Sequence, residues 1–192
     1  MALQLIITAV GPDRPGLVDQ ISGRLLDAGA NIADSRMINL AGQFALMMLA
    51  RLPDEAAPDG QGPEGQTSDV QALVAQLAQA GTSLGLTIST VVVQARKDDP
   101  ATGAGKALEL RLRVFGMDKP GIVHRISNWL HEHQVNIEEM QTHLQAGSYT
   151  GTPQFTMDLR MSVPESIQVS QLRTQLAQLC DSLNCDMDLE PA

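Results

Sequence analysis

The feature that most constrains this chain is an internal repeat. The segment GPDRPGLVDQISGRLLDAGANI at residues 11–32 returns 105 positions later as GMDKPGIVHRISNWLHEHQVNI at residues 116–137. Ten of the 27 positions from 11 to 37 are identical in the two copies, without a gap. Agreement of this density predicts a duplicated domain, so each half of the chain should have its own fold and its own core.

Each copy has the same succession of apolar patterns. The first begins with LQLIITAV, a short run typical of a strand, and an amphipathic helix is predicted over residues 15–29. Two strands, a second helix over residues 68–81 and a closing strand follow, and the second copy repeats this order. The prediction is α+β: two tandem ferredoxin-like βαββαβ domains, each with both helices on one face of an antiparallel sheet.

Two polar segments set the predicted domain boundaries. RKDDPATGAGK at residues 96–106 is predicted to be a linker between a first domain over 1–95 and a second over 107–192. LPDEAAPDGQGPEGQT at residues 52–67 is rich in Pro, Gly and acidic residues, so it is predicted to be a loop within the first domain. That acidic loop is either a solvated excursion or a segment that becomes ordered on a partner.

The first strands of the two copies differ in pattern. LELRLRV at residues 108–114 alternates, which indicates one wet face, whereas LQLIITAV at residues 3–10 does not alternate. Continuous apolar runs are typical of strands buried on both sides. We therefore expect the two sheets, or two chains, to pack against each other.

The shared D-[RK]-P-G turn predicts a binding site. Proline suits the first position of a helix, so the N–H groups of residues 16–18 and 121–123 should lack partners within their helices. Glycine lets a ligand approach the backbone, and the helix dipole favours a small anion such as a carboxylate. The same residues also allow a purely structural turn, in which Asp13 and Asp118 cap the free amides.

Composition argues against several other classes of protein. The formal net charge is −9 and no basic run occurs, so a surface for duplex DNA is not expected. No stretch approaches the roughly 18 apolar residues of a membrane span, and MALQLIITAVG resembles a strand rather than a signal peptide. With two cysteines, expected to be reduced thiols, the predicted location is the cytoplasm.

Signatures of catalysis, metals and cofactors are missing from the sequence. There is no H-E-x-x-H, C-x-x-C or G-x-S-x-G motif, and the G-x-x-x-x-G of the first turn is not followed by Lys-Ser/Thr. Four histidines are interpreted as surface or rim residues, and Trp129 as a packing or interface residue. The chain is therefore not expected to be an enzyme or to carry a cofactor.

The motif D-[RK]-P-G-[LI]-V, followed by a helix and then by Asn-Ile, resembles the ACT domain, a βαββαβ module that binds small ligands, most often amino acids. Two such copies fill the chain, an arrangement similar to the family of the glycine cleavage system transcriptional repressor. The resemblance implies side-by-side pairing of sheets and amino acid binding at an interface between domains. The contacts it implies come from the first strand–helix loop and the strand after the helix: Asp13, Arg14, Pro15, Gly16, Leu17, Asn31, Ile32, Asp118, Lys119, Pro120, Gly121, Ile122, Asn136 and Ile137.

Two functional hypotheses follow. The first is a non-catalytic, homo-oligomeric sensor of an amino acid, with glycine favoured by the resemblance, that acts on transcription through a protein partner such as an activator. The acidic charge and the lack of a helix-turn-helix pattern favour a protein partner over direct DNA contact. The second is an interaction or dimerisation module without a ligand.

Overall fold

The computed structural model describes residues 3–52, 64–94, 107–146 and 153–192. The chain divides into two compact units, residues 1–97 and 98–192. Each unit contains four strands and two helices within the described residues, in the order β-α-β-β-α-β. The predicted ferredoxin-like fold, with antiparallel sheets and two tandem copies, is confirmed.

The elements of the first unit run in chain order from the N-terminus. They are β1 (Leu3–Pro12), α1 (Leu17–Asp27), β2 (Asn31–Leu40), β3 (Gln43–Arg51), α2 (Glu64–Leu84) and β4 (Thr87–Gln94). The sheet order is β2-β3-β1-β4 and every pairing is antiparallel. Because α2 begins at Glu64, the prediction that the acidic loop extends to residue 67 is wrong at its last four positions. Residues 53–63 of that loop and the predicted linker at 96–106 lie outside the described residues.

The second unit repeats this plan. Its elements are β5 (Ala107–Met117), α3 (Ile122–Glu132), β6 (Asn136–Ala146), β7 (Pro153–Pro164), α4 (Val169–Ser182) and β8 (Cys185–Pro191). The sheet order is β6-β7-β5-β8, again antiparallel throughout. Both sheets also have a register shift at the same point of the edge strand, after Ile32 and after Ile137.

Each unit has its core between one sheet face and its two helices. In the first, Leu5, Ile7 and Ala9 of β1 are fully buried against α1 and α2. Their neighbours Ile6 and Thr8, on the other face, are only half-buried. The helices thus cover one face of β1, and its expected burial on both sides would require a further partner.

In the second unit, Leu110, Leu112 and Val114 form the equivalent row. Arg111 and Arg113 lie between them on the other face, as the alternation of LELRLRV predicts. No helix in the described part of the chain is long and apolar enough to cross a membrane.

Candidate ligand-binding site

Both D-[RK]-P-G turns end in a glycine that lies in the left-handed region. Gly16 has φ = 90° and Gly121 has φ = 96°, and each is the N-cap of its helix. The helices therefore begin at Leu17 and Ile122, two residues after the prolines, so the prediction that proline opens each helix is wrong. Few residues other than glycine tolerate this conformation, which explains why glycine recurs at this position.

The amides available at the second turn are correspondingly one residue later than predicted. The first helical bond runs from Arg125 N–H to Gly121 O, at 2.9 Å. The preceding amides, those of Ile122, Val123 and His124, have no acceptor inside α3. Gly121 has no side chain with which to cap them, and no side-chain capping hydrogen bond is formed at this helix start in the described part of the chain. These N–H groups point outward at the N-terminal end of α3, where the helix dipole is positive.

A cavity of about 590 Å³ opens at this second turn. Its volume falls within the ~300–1,000 Å³ range of small-molecule pockets. A side-chain carbon built on Gly121 would meet no atom within 4 Å, so the space directly above the turn is open. The cavity is lined by Asp118, Lys119, Pro120, Gly121, Ile122, Val123, His124, Ser127 and Phe155.

Four of these lining residues, Val123, His124, Ser127 and Phe155, were not among the candidate contacts from sequence, although the Val123 amide was expected to be free. Ser127 had a signal, because it is one of the ten identities between the copies, where it matches Ser22. Phe155 and Phe44 are equivalent by strand register, since they pair with Gly116 and Gly11. This match is hidden in the sequence because Phe155 lies six residues further from Asn136 than Phe44 lies from Asn31.

The first turn has the same backbone but a different electrostatic environment. The Asp13 side chain accepts a hydrogen bond from Asn39 Nδ2 rather than capping the helix. Arg14 donates to the carbonyl of Leu84, at 3.0 Å, at the end of α2. The first turn of α1 also contains a carboxylate, Asp19, at the position that His124 occupies in α3.

The glycine that opens each repeated phrase is fixed by close packing. A side-chain carbon on Gly11 would lie 2.7 Å from the carbonyl oxygen of Gly85, and one on Gly116 would lie 2.9 Å from that of Asn184. Both contacts bring the end of the first strand against the tight turn that precedes the last strand. In both units, close backbone packing therefore fixes the end of the strand from which the candidate turn begins.

The other candidate residues lie at the far end of each unit. Asn31 pairs with Arg51 and Asn136 with Ser162, at the ends of β3 and β7 remote from the glycine turns. A strand of ten residues spans roughly 30 Å. Within one unit, Asn31 and Ile32, or Asn136 and Ile137, therefore cannot contact the same small ligand as the turn.

The two thiols are buried, which disfavours their reactive thiolate form. Cys180 and Cys185 are buried and free. Burial raises the pKa of the Cys180 thiol to about 11 and raises that of Cys185 as well. Within the residues that the structure describes, no group of three or more His, Cys, Asp or Glu side chains could hold a metal ion.

Comparison with known proteins identifies the same domain family in both halves of the chain. A family model for the ACT domain matches residues 3–91 and again residues 110–190. The glycine cleavage system transcriptional repressor of Escherichia coli (strain K12) is 26% identical over 180 residues, which cover 94% of this chain and 85% of the repressor.

Two solved structures cover nearly the whole chain. An unknown protein from Galdieria sulphuraria has a TM-score of 0.76 at 28% identity, covering 100% of this chain and 99% of that chain. A crystal structure provisionally identified as a glycine cleavage system transcriptional repressor has a TM-score of 0.66 at 23% identity, covering 99% and 97%. At that identity the second likeness concerns the fold. With both halves matched by the same family model, the chain belongs to the ACT-domain family, in which it has two tandem copies of the domain.

Proposed function

We propose that this protein is a non-catalytic amino acid sensor that modulates transcription of glycine cleavage genes through a protein partner. The observation that carries the proposal is the cavity at the second D-K-P-G turn, whose lining includes five of the seven candidate residues of that copy. The ACT-domain family and the similarity to a glycine cleavage repressor support the regulatory part of the proposal.

The chemistry of the second turn suits a zwitterion. The amides of Ile122, Val123 and His124, together with the Lys119 ammonium group, would receive the ligand carboxylate. The Asp118 carboxylate on the same cavity wall would receive the ligand ammonium group. A cavity of this volume also accommodates amino acids larger than glycine, so the choice of glycine rests on the similarity to the repressor.

The candidates remote from the turn, Asn136 and Ile137, would have to contact a ligand that is held by a second domain. Asn136 and Ile137 lie at the opposite end of their unit from the turn, so they would contact a ligand only if it were bound by the turn of another ACT domain. A ligand shared in this way would favour the assembled arrangement by as much as its affinity differs between arrangements. This is how amino acid binding would reach a protein partner in the cytoplasm.

Isothermal titration of the full chain against glycine, serine, alanine and larger amino acids tests the sensor. Lys119→Met should weaken binding about fivefold or more, since it removes a charge-assisted contact. The matched variant Arg14→Met removes the cation at the same position of the first turn, where the guanidinium is already bonded to Leu84, and should change binding less. If no amino acid gives heat, the proposal fails.

A second measurement tests the partner. Duplex DNA retarded by the purified protein alone at physiological salt would contradict action through a protein, since the chain has a net charge of −9 and should repel DNA. The second candidate function, an interaction module without a ligand, is favoured by exposed apolar side chains of the first sheet, such as Met47 and Val91. This second function would be supported if the protein self-associated while no amino acid gave heat in the titrations.

A further inference from the structure

The first sheet has a face that its own helices do not cover. Strand register defines this open face, because residues opposite each other in an antiparallel pair point to the same side. Several of its apolar side chains are largely exposed, including Met47 at 57%, Val91 at 55% and Leu40 at 71%. The apolar residues that carry the argument are Ile6, Ile38, Leu40, Met47, Leu49 and Val91.

The open face of the second sheet has charged residues at the equivalent positions. Ile6 pairs with Leu49 and Val91 in the first sheet. In the second, Arg111 pairs in the same way with Arg160 and Glu190. Met47 likewise corresponds to Asp158, since they pair with Thr8 and Arg113, which are 105 positions apart.

Most of these charged groups are paired with each other, although Arg160 Nε is buried without a hydrogen-bond partner among the described residues. Arg111 forms two hydrogen bonds with Asp158, at 2.7 Å and 2.6 Å, and Arg113 lies 3.1 Å from Glu190. Glu139 lies 3.7 Å from Arg160. The same backbone therefore supports a wet, charged open face. The fold itself does not demand the apolar residues of the first sheet, so their exposure needs another explanation.

We propose that the open face of the first sheet packs against the same face of a second copy of this chain. A charged face such as that of the second sheet is a poor match, because burying its ion pairs carries a desolvation penalty of several kcal/mol per ion. On the open face of the first sheet the same central positions are apolar, so packing them against each other removes no charge from water. A two-fold axis brings the identical patch of a second copy into register with it, as in most homodimers.

The size of the face fits this proposal. Four strands at roughly 4.8 Å spacing, over about 25 Å of length, span about 500 Å² in projection. The accessible area is larger because the side chains stand up from the sheet, and it approaches the ~800 Å² per partner of a standard interface. The charged residues on this face, Asp34, Arg36 and Arg51, lie on the edge strand β2 and at the end of β3, where a polar rim is expected.

The test transplants the charged pair of the second sheet into the first. The double variant Ile6→Arg with Met47→Asp places the Arg111–Asp158 pair at its equivalent positions, on a backbone that accepts it in the second unit. Sedimentation velocity of the full chain should show a wild-type dimer whose dissociation constant rises at least about 100-fold in this variant. The matched control Leu26→Gln changes an exposed apolar residue of α1, outside the face, and should leave the dimer unchanged.

A milder variant covers failure of the double variant to fold. Val91→Glu introduces the single charge found at Glu190, at an exposed position, and should also dissociate the dimer. Circular dichroism checks that each variant is folded. A monomeric wild type at about 50 μM, a dimer that survives both charged variants, or equal weakening by Leu26→Gln would each overturn the proposal. The ligand turns are not altered and the variants are compared without added amino acid, so a failure of this proposal is distinguishable from a failure of amino acid binding.

Discussion

The two domains have the same backbone fold but different side chains at several equivalent positions. Comparing them separates the residues that the fold requires from those that it allows to vary. Gly16 and Gly121 share a left-handed conformation, and Gly11 and Gly116 share a close approach to a turn. These glycines are identical in both copies for two reasons. At Gly11 and Gly116 the neighbouring backbone leaves no room for a side chain. At Gly16 and Gly121 the left-handed conformation is strained for other residues. Many of the other outward-facing residues have diverged, although exposed residues such as Asp13 and Asp118 are shared.

The divergence is greatest at two places. At the helix start, Asp19 in the first copy corresponds to His124 in the second, so only the first carries an acid in its first turn. On the open face, Ile6 and Met47 correspond to Arg111 and Asp158. The difference indicates a division of labour: the first copy offers an apolar surface, while the second offers a helix start better suited to an anion.

The largest expected effect uses the cysteines, which report on the second copy alone. Cys180 and Cys185 are both buried in the second unit, and Leu86 occupies the position of Cys185 in the first. Burial raises the pKa of Cys180 from 9.0 to about 11. At pH 8 this lowers the thiolate fraction about 100-fold, so alkylation by iodoacetamide should be at least that much slower than in the unfolded chain.

The raised pKa of Cys180 also makes the stability of the folded state depend on pH. A thiol whose pKa is higher in the folded state stabilises that state below pH 9, and the contribution is lost as the pH rises towards 11. The variant Met117→Cys adds an exposed thiol as a positive control, which should react at the unfolded rate. Native thiols that react within about tenfold of that control would contradict the buried environment.

The next effect is on the shared scaffold. A methyl group at Gly11 would lie 2.7 Å from Gly85 O and one at Gly116 2.9 Å from Asn184 O, so Gly11→Ala and Gly116→Ala should each lower the free energy of unfolding by about 1–3 kcal/mol. Gly23→Ala, in open space on α1, is the control and should raise it by up to about 1 kcal/mol. Urea unfolding measures all three.

Thiol labelling then assigns each loss to a unit. Gly116→Ala should accelerate alkylation of Cys180 and Cys185, whereas Gly11→Ala should not, since the two units have separate cores. If Gly11→Ala proved as stable as the wild type, the close approach would not be a constraint and the repeated glycine would need another cause.

The behaviour of these glycines shows how far sequence reasoning reaches. The order of elements was predictable because apolar spacing and glycine turns are local signals. The position of Gly16 as a left-handed N-cap was not, since proline is equally at home as a first helical residue. The distance between Asn31 and the turn follows from strand direction, and the role of Phe155 from register across β7, so both required the sheet to be assembled.

A smaller effect tests the difference between the helix starts. His124→Asp gives the second copy the acid that the first has at Asp19. A carboxylate near a bound carboxylate costs about 1 kcal/mol at water-like dielectric, so affinity for an amino acid should fall about fivefold in calorimetric titration. The helix itself should be stabilised slightly, because acids suit helix N-termini, which separates this loss from misfolding.

The reciprocal variant completes that experiment. Asp19→His removes the acid from the first copy and should leave amino acid binding at the second turn unchanged. If Asp19→His altered amino acid binding and His124→Asp did not, the first turn would be the binding turn, and the proposed asymmetry would be reversed.

The smallest effect concerns the charged open face. Arg111, by its hydrogen bonds, holds the pKa of the Asp158 carboxyl below its usual value of 3.8. The side chains are 44% and 34% exposed, so solvent screening keeps the contribution of Asp158 below about 1 kcal/mol. A lowered pKa means that this contribution is present above pH 4 and is lost as the pH falls through the folded-state value.

Asp158→Asn should therefore be slightly less stable than the wild type at pH 7, and the difference should shrink as the pH is lowered to 2, because the contribution of Asp158 is lost as its carboxyl becomes protonated. Met47→Asn alters the equivalent position of the first sheet, where the native residue is uncharged, and its difference from the wild type should depend on pH much less than that of Asp158→Asn. Urea unfolding at the two pH values compares them. Parallel behaviour of the two variants would mean that the ion pairs do not stabilise the second sheet, and that its charged face is adapted to a binding partner rather than to water.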